Sequence, residues 1–391
     1  MKTVKIGNGD LTFTADRSNT TYVLEAGKTL DTTYHGIETI EPSLRNIGLV
    51  VNGTIRADAT GIYANADADP VRSLAISVGK QGRIESVARA IDVDGRDVRV
   101  ENRGTLAGSE GIRLWGRDGV VDNAGVVDAA SVGIVAADGA RVVNAGTISG
   151  GMYGIVLNAL EGMGGLVKNT GTIAGGDHAV YGSTAADRIV NSGFIDGEVR
   201  LRDGDDVIVF KGGIADHAVH GGAGDDLFVV RSPGPVIKEV AGEGDDTVRS
   251  SISWTIGDNI ETLQLTGRND LDGFGNATAN RVTGNAGDNA LYGRAGDDTL
   301  RGGAGNDVLT GDAGSDVFVF ARGAGRDTVT DFEAGIDGIQ LGGFKGARDF
   351  ADMLAGHLEV KGDDLWITYG NDVIVLEDTT EAELQAGDFV F

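Results

Sequence analysis

Glycine and aspartate recur together in the second half of the chain at an interval of nine residues. The pattern G-G-x-G-x-D-x-U-x, in which U is a large apolar residue, is met at every position by GGAGDDLFV at 221–229. Four more copies, GNAGDNALY, GRAGDDTLR, GGAGNDVLT and GDAGSDVFV, follow one another without a gap from Gly284 to Val319. The glycines permit a tight turn with inward carbonyl oxygens, and the aspartate adds a hard anionic oxygen. Oxygen ligands without nitrogen or sulfur predict a calcium site rather than a zinc or copper site.

Less regular copies of the pattern surround this run. GNATANRVT precedes it in phase at 275–283, and LRDGDDVIV (201–209), AGEGDDTVR (241–249) and RGAGRDTVT (322–330) each lack the first glycine. One copy alone is equally compatible with a generic Gly–Asp turn or a charged linker, but four contiguous copies in one phase predict a metal-binding array. Further sixth-position aspartates that we expect to bind the metal are Asp226, Asp246, Asp298 and Asp327.

Over about residues 200–391 the sequence resembles the RTX family of haemolysin-type calcium-binding repeat proteins. The resemblance implies a parallel β-roll in which each Ca²⁺ lies between turns two repeats apart. One turn would supply oxygens from its first, third and fifth residues, and its partner from the second, fourth and sixth. The implied pairs are Gly284, Ala286 and Asp288 facing Gly303, Gly305 and Asp307, and Gly293, Ala295 and Asp297 facing Asp312, Gly314 and Asp316. Asn289 replaces a sixth-position aspartate, and two extra residues before Arg322 change the phase of the turn that contains Asp327.

The tail has a resemblance of its own. The chain ends Asp388-Phe389-Val390-Phe391, which is similar to the uncleaved C-terminal signal of type I secretion substrates. The amino-terminal segment MKTVKIGNGDLTFTADRS contains no apolar signal region. We therefore expect an extracellular or cell-surface protein, exported by type I secretion machinery without an N-terminal signal peptide.

Composition excludes several classes of protein. The formal net charge of −26 repels phosphate backbones, so nucleic-acid binding is not expected. Cysteine is absent, which removes disulfides and thiolate metal sites and leaves bound calcium as the expected cross-link outside the cell. No apolar run is long enough for a transmembrane segment.

A second, longer repeat organises residues 51–195. A unit of the form N-x-G-T-I, a polar turn and G-I-x-L returns seven times, with turn glycines at Gly53, Gly82, Gly104, Gly125, Gly146, Gly171 and Gly193. Steps of 21 to 29 residues leave room for short strands but not for helices, and predict the coils of a parallel β-helix. Alternation predicts an interior column of Ile55, Ile84, Leu106, Val127, Ile148, Ile173 and Ile195, and a structural ladder of Asn102, Asn123, Asn144, Asn169 and Asn191.

The expected fold is therefore all-β: a right-handed parallel β-helix followed by a calcium-binding parallel β-roll. We expect an N-terminal cap at 1–43, the β-helix at 44–200, the β-roll region at 201–330, and a C-terminal cap with the secretion signal at 331–391. The one predicted helix lies near 347–356, where Phe350, Met353 and Leu354 recur at helical spacing.

The coils resemble adhesin and autotransporter passenger rods and, more distantly, polysaccharide lyases and epimerases, so two functions stay open. The preferred one is a structural or adhesive rod that self-associates, with Val135 and Val156 in an outward column. The alternative is a calcium-dependent lyase or epimerase acting on an acidic polysaccharide. Its candidate residues are His178, Tyr153 and Tyr181, which the repeats bring close together, although a histidine exposed on a turn of such a rod is more often an ordinary solvated side chain.

Overall fold

A computed structural model describes residues 2–9, 13–39, 45–64, 71–344 and 349–391, and only the backbone of residues 71 and 72. The chain forms two compact units, residues 1–224 with 234–236 and residues 225–233 with 237–391. Only 3% of the structure is helix, so the all-β prediction is confirmed. No helix among the described residues has the length and apolarity needed to cross a membrane.

In the first unit, every strand pairing that the structure describes is parallel, as a β-helix requires. One row consists of Lys2–Ile6, Thr20–Leu24, Arg45–Val51, Val71–Val78, Gly95–Arg96, Arg99–Asn102, Val120–Asn123, Arg141–Asn144, Leu166–Asn169, Arg188–Asn191 and Val207–Phe210. The other strands are Phe13–Thr14, Thr29–Thr32, Ile37–Thr39, Thr54–Ala57, Thr60–Ala64, Arg83–Ser86, Arg89–Val93, Thr105–Leu114, Val126–Ala137, Thr147–Gly150, Tyr153–Asn158, Thr172–Tyr181, Phe194–Asp203, Ile214–Ala215 and Ala218–Ala223, with Val236–Ile237 where the two units meet in sequence. Described strands within 2–39 pair in parallel with later turns, whereas 1, 10–12 and 40–43 of the expected N-terminal cap lie outside the described residues.

The predicted aliphatic column forms part of the core of the first unit. Ile55, Ile84 and Leu106 pair in register, and Val127, Ile148, Ile173 and Ile195 continue the column, each at most 1% exposed. One turn of the solenoid cannot bury its apolar face alone, so each turn is stabilised by the turns that stack on it.

The asparagine ladder forms as predicted. The side-chain amide of each asparagine donates to Oδ1 of the next, at 2.8 to 2.9 Å from Asn102 through Asn191. All five side chains are buried. Each ladder residue precedes a turn glycine packed against the turn before it: a Cβ on Gly125 would lie 2.2 Å from the carbonyl oxygen of Gly104. Stacking of the turns thus leaves no space for a side chain at these glycine positions.

In the second unit, successive nine-residue repeats supply strands alternately to two rows, as in a β-roll. The first row contains Leu227–Val230, Thr247–Ser250, Thr262–Leu265, Arg281–Thr283, Thr299–Arg301, Val317–Ala321, Gly338–Gly342 and Phe389–Val390. The second contains Trp254–Thr255, Asp272–Phe274, Ala290–Ala295, Val308–Ala313, Arg326–Val329 and Asp372–Leu376, followed by the antiparallel strands Asp364–Tyr369 and Leu358–Lys361. The U residues Val282, Leu291, Leu300, Leu309 and Phe318 are fully buried between the rows.

The predicted helix is present as Phe350–Gly356, and its expected start near 347 lies outside the described residues. The Asp349 side chain caps it by accepting from the backbone N–H of Asp352 at 2.9 Å. A short 3₁₀ turn, Ala386–Asp388, precedes the last strand.

Candidate calcium-binding turns

The sixth residues of the repeats form two ladders in the second unit. In each step a sixth-position side-chain oxygen accepts from the backbone N–H of the sixth residue two repeats earlier. Oδ1 of Asp298 accepts from Asn280 at 2.7 Å and Oδ1 of Asp316 from Asp298 at 2.8 Å. In the other ladder, Oδ1 of Asp307 accepts from Asn289 at 2.8 Å. Oδ1 of each of these aspartates is therefore already satisfied by a backbone hydrogen bond.

The second carboxylate oxygen has no such partner. Oδ2 of Asp298 and Oδ2 of Asp307 are buried and receive no hydrogen bond. Each lies beside the first glycine of its own repeat: a Cβ on Gly293 would approach Oδ2 of Asp298 to 2.3 Å, and one on Gly302 would approach Oδ2 of Asp307 to 2.2 Å. Glycine in the first position thus leaves space around an anionic oxygen that the protein does not satisfy.

The electrostatics of these carboxylates are unfavourable without a cation. Burial, together with neighbouring carboxylates, raises the pKa of Asp298 and of Asp327 to about 7. Burial raises the pKa of Asp307 and of Asp246 to about 6, again with carboxylates nearby. A buried carboxylate is stable only when paired, hydrogen-bonded or bound to metal. Hard oxygen donors and a buried carboxylate oxygen without a donor fit Ca²⁺.

The structure places the predicted facing turns against each other. In the first pair, the Ala304 N–H donates to the Asn285 carbonyl at 3.1 Å, and Asp288 Oδ1 accepts from the Asn306 N–H at 2.7 Å. Gly284, Ala286, Gly303 and Gly305 belong to these same two turns. That they ligate calcium together with Asp288 and Asp307 remains a prediction.

The second predicted pair has the same arrangement. The Gly296 N–H donates to the Ala313 carbonyl at 2.9 Å, and Asp297 Oδ1 accepts from the Ser315 N–H at 2.9 Å. Gly293, Ala295, Asp312, Gly314 and Asp316 lie in these two turns, and their role as ligands likewise stays a prediction.

The outlying predicted aspartates also join the ladders. Asp246 Oδ1 accepts from the Asp226 N–H at 2.9 Å, and Glu261 replaces the next aspartate by accepting from the Asp246 N–H at 2.7 Å. Asp327 Oδ1 accepts from the Asp307 N–H at 3.0 Å, so the two extra residues before Arg322 do not remove Asp327 from its ladder.

Three buried aspartates of the tail were not predicted as acceptors of backbone N–H groups, and one of them, Asp337, extends a ladder. Asp337 Oδ1 accepts from the Asp316 N–H at 2.9 Å, and Asp388 accepts from the N–H groups of Gly335 and Gln385. Asp372 accepts from Gly323 and Gly325 at 3.0 and 3.1 Å. The signal that could have found Asp337 and Asp372 is the remnant D-x-U-x in DGIQ and DVIV, which survives where the glycines are lost.

The candidate catalytic residues of the first unit do come together. Tyr153 pairs in register with His178, and their rings stack at 5.7 Å between centroids. Tyr181 lies 5.2 Å from the His178 ring at an edge-to-face angle of 66°. Two neighbours were missed: Glu198 contacts Nε2 of His178 at 3.5 Å and Nε2 of His220 at 2.7 Å.

The fold and the ladders of side chains define this chain as a parallel β-solenoid with nonapeptide turns. The family model described as RTX calcium-binding nonapeptide repeat, in four copies, matches residues 274–309, 283–318 and 292–329. The chain therefore carries RTX calcium-binding nonapeptide repeats.

Other comparisons give partial likenesses. The chain is 39% identical over 170 residues to the endo-1,3-1,4-β-glycanase EglC of Rhizobium meliloti, spanning 43% of this chain and only 34% of that protein. A subunit of the mannuronan C5-epimerase from Azotobacter vinelandii is 28% identical, with 32% of this chain and 79% of that chain covered and a TM-score of 0.27. The extracellular lipase LipA of Serratia marcescens is 18% identical, with 58% and 40% covered and a TM-score of 0.24. These TM-scores are too low to support any inference about this chain.

Proposed function

We propose that this is a secreted protein whose second unit, which contains the nonapeptide repeats, folds on binding extracellular calcium. The folded protein then acts as a structural or adhesive rod at the cell surface or in the matrix. The observation that carries the proposal is the buried Oδ2 atom of Asp298 and of Asp307, each without a donor beside a first-position glycine. Folding creates these unfavourable positions, so a cation that binds only the folded form shifts the equilibrium toward folding.

Calcium would be held by the facing turns described above, with Asp298, Asp307 and Asp316 among the carboxylates of the contiguous run. Bound there, Ca²⁺ supplies positive charge between stacked turns and cross-links them. Extracellular calcium modules bind with dissociation constants of about 10⁻⁴ to 10⁻³ M. At the far lower calcium level of the cytosol the second unit would stay unfolded, and it would fold after export.

The position of the tail is consistent with export before folding. Phe389 is buried and pairs with Ile339, and Asp388 is buried within the second unit. Type I machinery that recognises this segment needs it exposed, which requires an unfolded second unit. Fusing residues 331–391 to a passenger protein and measuring its export, with and without these last four residues, tests this part of the proposal.

Self-association is the second part of the proposed role. Phe194 and Ile214 are neighbours in register and remain 37% and 52% exposed. Val135, expected to face outward, is only 8% exposed and Val156 is half-buried, so Phe194 and Ile214 are the better candidates for the association surface. Light scattering across a calcium series should show oligomers that are lost when both residues are changed to Ser, whereas a monomer at all calcium levels would contradict this role.

A chelator titration followed by far-UV circular dichroism tests the main proposal. Removal of calcium should abolish the β-signal of the second unit, and restoring calcium should return it. A spectrum unchanged in excess EGTA would contradict the proposal.

The alternative, a lyase or epimerase acting on an acidic polysaccharide, is favoured by the cluster of Tyr153, His178 and Tyr181. Glu198 contacts His178 of that cluster and lines a cleft together with Asp177 and Asp196, and these carboxylates would repel uronate groups. We therefore rank the enzyme second. Ultraviolet absorbance of unsaturated uronate products tests for a lyase, and proton exchange at the sugar carbon tests for an epimerase.

A further inference from the structure

Three clefts lie along one edge of the first unit. The first, of about 430 Å³, is lined by residues between Asp31 and Asp58. The second, of about 490 Å³, is lined by short stretches of successive turns between Glu85 and Ala130. The third, of about 680 Å³, is lined in the same way by residues between Gly150 and Ala218. All three occur where strands of successive turns bend from one face to the next.

Strand register aligns the three clefts along the first unit, and together they are called the groove below. One residue from each turn lies in a single column along it: Asp31, Arg56, Glu85, Ala107, Asp128, Ser149, Ala174 and Asp196. Neighbouring parallel strands are about 4.8 Å apart, so eight positions span roughly 34 Å. Only an extended chain molecule could contact the whole length of the groove.

The floor of the groove is made of small residues for a structural reason. A Cβ on Gly151 would lie 2.1 Å from the Ala130 carbonyl, and one on Gly176 would lie 2.3 Å from the Gly151 carbonyl. Close stacking of the turns therefore excludes side chains here and keeps the groove open.

The charges along the groove are mostly negative. Arg56 is compensated by Asp31 and Glu85, which it contacts at 3.4 and 3.0 Å. Among the described residues that line the second and third clefts, the cationic candidate is His217, which contacts Asp216 at 2.8 Å.

The remaining lining carboxylates are those of Asp58, Asp128, Asp177, Asp196 and Glu198. Carboxylates in this arrangement repel an anionic polymer but accept hydrogen bonds from hydroxyl groups.

Partly exposed rings are linked to the third cleft through Glu198. Glu198 both lines that cleft and contacts His178 and His220, and His178 stacks on Tyr153. Aromatic faces next to hydroxyl-accepting carboxylates suit a ligand that has apolar ring faces and many hydroxyl groups.

We propose that this groove of the first unit binds an extended, uncharged polysaccharide. The proposal does not depend on calcium-coupled folding of the second unit, because every residue invoked lies in the first unit. It differs from the acidic-polysaccharide alternative in the predicted sign of the ligand charge.

Affinity electrophoresis and calorimetry of the full chain in calcium test it, with a mixed-linkage β-glucan and a galactomannan as uncharged probes. Polygalacturonate and chitosan serve as anionic and cationic comparators. We expect binding of at least one uncharged polymer in preference to both comparators.

Variants locate the site. Ala130 is exposed in the groove, so Ala130→Trp should obstruct it and weaken binding by about tenfold or more. Glu198→Gln should weaken binding less, because the amide still accepts from hydroxyls. Ser192→Trp is the matched control: Ser192 is exposed and outside the described lining of the clefts, and its substitution should leave binding unchanged.

Preferential binding of polygalacturonate or chitosan, absence of binding to both uncharged polymers, or full binding by Ala130→Trp would overturn the proposal. Far-UV spectra with and without calcium are recorded for each variant, so that loss of glycan binding with an intact calcium response is distinguished from failure of calcium-coupled folding.

Discussion

Both units stack polar side chains in ladders, but the ladders differ in charge. In the first unit, asparagine amides both donate and accept, so each side chain from Asn102 to Asn191 satisfies its neighbour without any ion. In the second unit, aspartates such as Asp298 use Oδ1 to accept a backbone N–H and leave Oδ2 buried without a donor. An amide ladder is complete within the protein, whereas a carboxylate ladder leaves buried negative charge that protonation or a bound cation can neutralise.

Natural exceptions in the second unit support this comparison. At Asn280 and Asn289 the sixth residue is an amide, and its Nδ2 donates to the carbonyls of Ile260 and Leu271, both at 3.1 Å. The Nδ2 group of asparagine thus makes a hydrogen bond at the position where Oδ2 of aspartate has no donor. The two units should accordingly respond differently to calcium, pH and exchange of Asp for Asn.

The largest expected effect is that of calcium removal. In excess EGTA, the second unit should lose its β-structure and become sensitive to protease, because its carboxylates then repel one another without compensation. The first unit should persist as a resistant fragment ending near residue 224, since its ladder contains no ion. Limited proteolysis with mass spectrometry checks this, and equal loss of both units, or of neither, would contradict the proposed difference between the two ladders.

Neutralising the carboxylates should have the next largest effect. The double variant Asp298→Asn and Asp307→Asn removes two candidate ligands, so we expect the calcium midpoint of folding to rise by about tenfold or more. The apo form should at the same time become less unstable, because the amides can donate as those of Asn280 and Asn289 do. Asp177→Asn, at an exposed carboxylate of the first unit, is the control and should leave the midpoint unchanged. An unchanged midpoint in the double variant would show that these aspartates do not bind calcium.

A smaller effect is expected from pH. In the folded, calcium-free unit the pKa of Asp298 and Asp327 is raised to about 7, above the ordinary value of 3.8, so protonation favours folding. Apo stability should be highest below about pH 4 from this contribution. It should fall as pH rises toward 7, while calcium affinity increases over the same interval because fewer protons must be displaced. Calcium titrations at pH 5.5 and 7.5 check the sign, and tighter binding at the lower pH would contradict it.

Much of this architecture was predictable because its physics is periodic. The column through Ile84 and Ile148 and the ladder through Asn144 follow from alternation and from repeat length, and the turns containing Asp298 and Asp307 follow from four copies in one phase. Counting repeats does not predict contacts in segments where the chain departs from the regular repeat length. Glu198 was missed because register shifts at a bulge around His178, so counting repeats does not place it.

The tail aspartates were missed for another reason. Asp372 lies 45 residues after Asp327 in sequence, yet its strand pairs directly with the strand containing Asp327. A hairpin and the helix intervene, and with the turn glycines absent no spacing rule connects the two residues.

The most local effect is expected from an aspartate placed in the asparagine ladder. Nδ2 of Asn144 donates to Oδ1 of Asn169 at 2.9 Å and to the Thr172 carbonyl at 2.8 Å. Asn144→Asp would put a carboxylate oxygen against both acceptors and cost about 1–3 kcal/mol of unfolding free energy, or more while the group is charged. Protonation restores a donor, so the loss should shrink as pH falls, because burial raises the pKa of the introduced carboxyl.

Asn144→Ala provides the matched control, because it removes the same donor without adding charge and its cost should not depend on pH. Hydrogen exchange of peptides from residues 99–191, in calcium at pH 5 and pH 8, isolates the first unit from pH effects on the second. A pH-independent cost for Asn144→Asp, no greater than that of Asn144→Ala, would mean that the amide ladder tolerates a buried charge. The contrast between the two units would then not rest on charge.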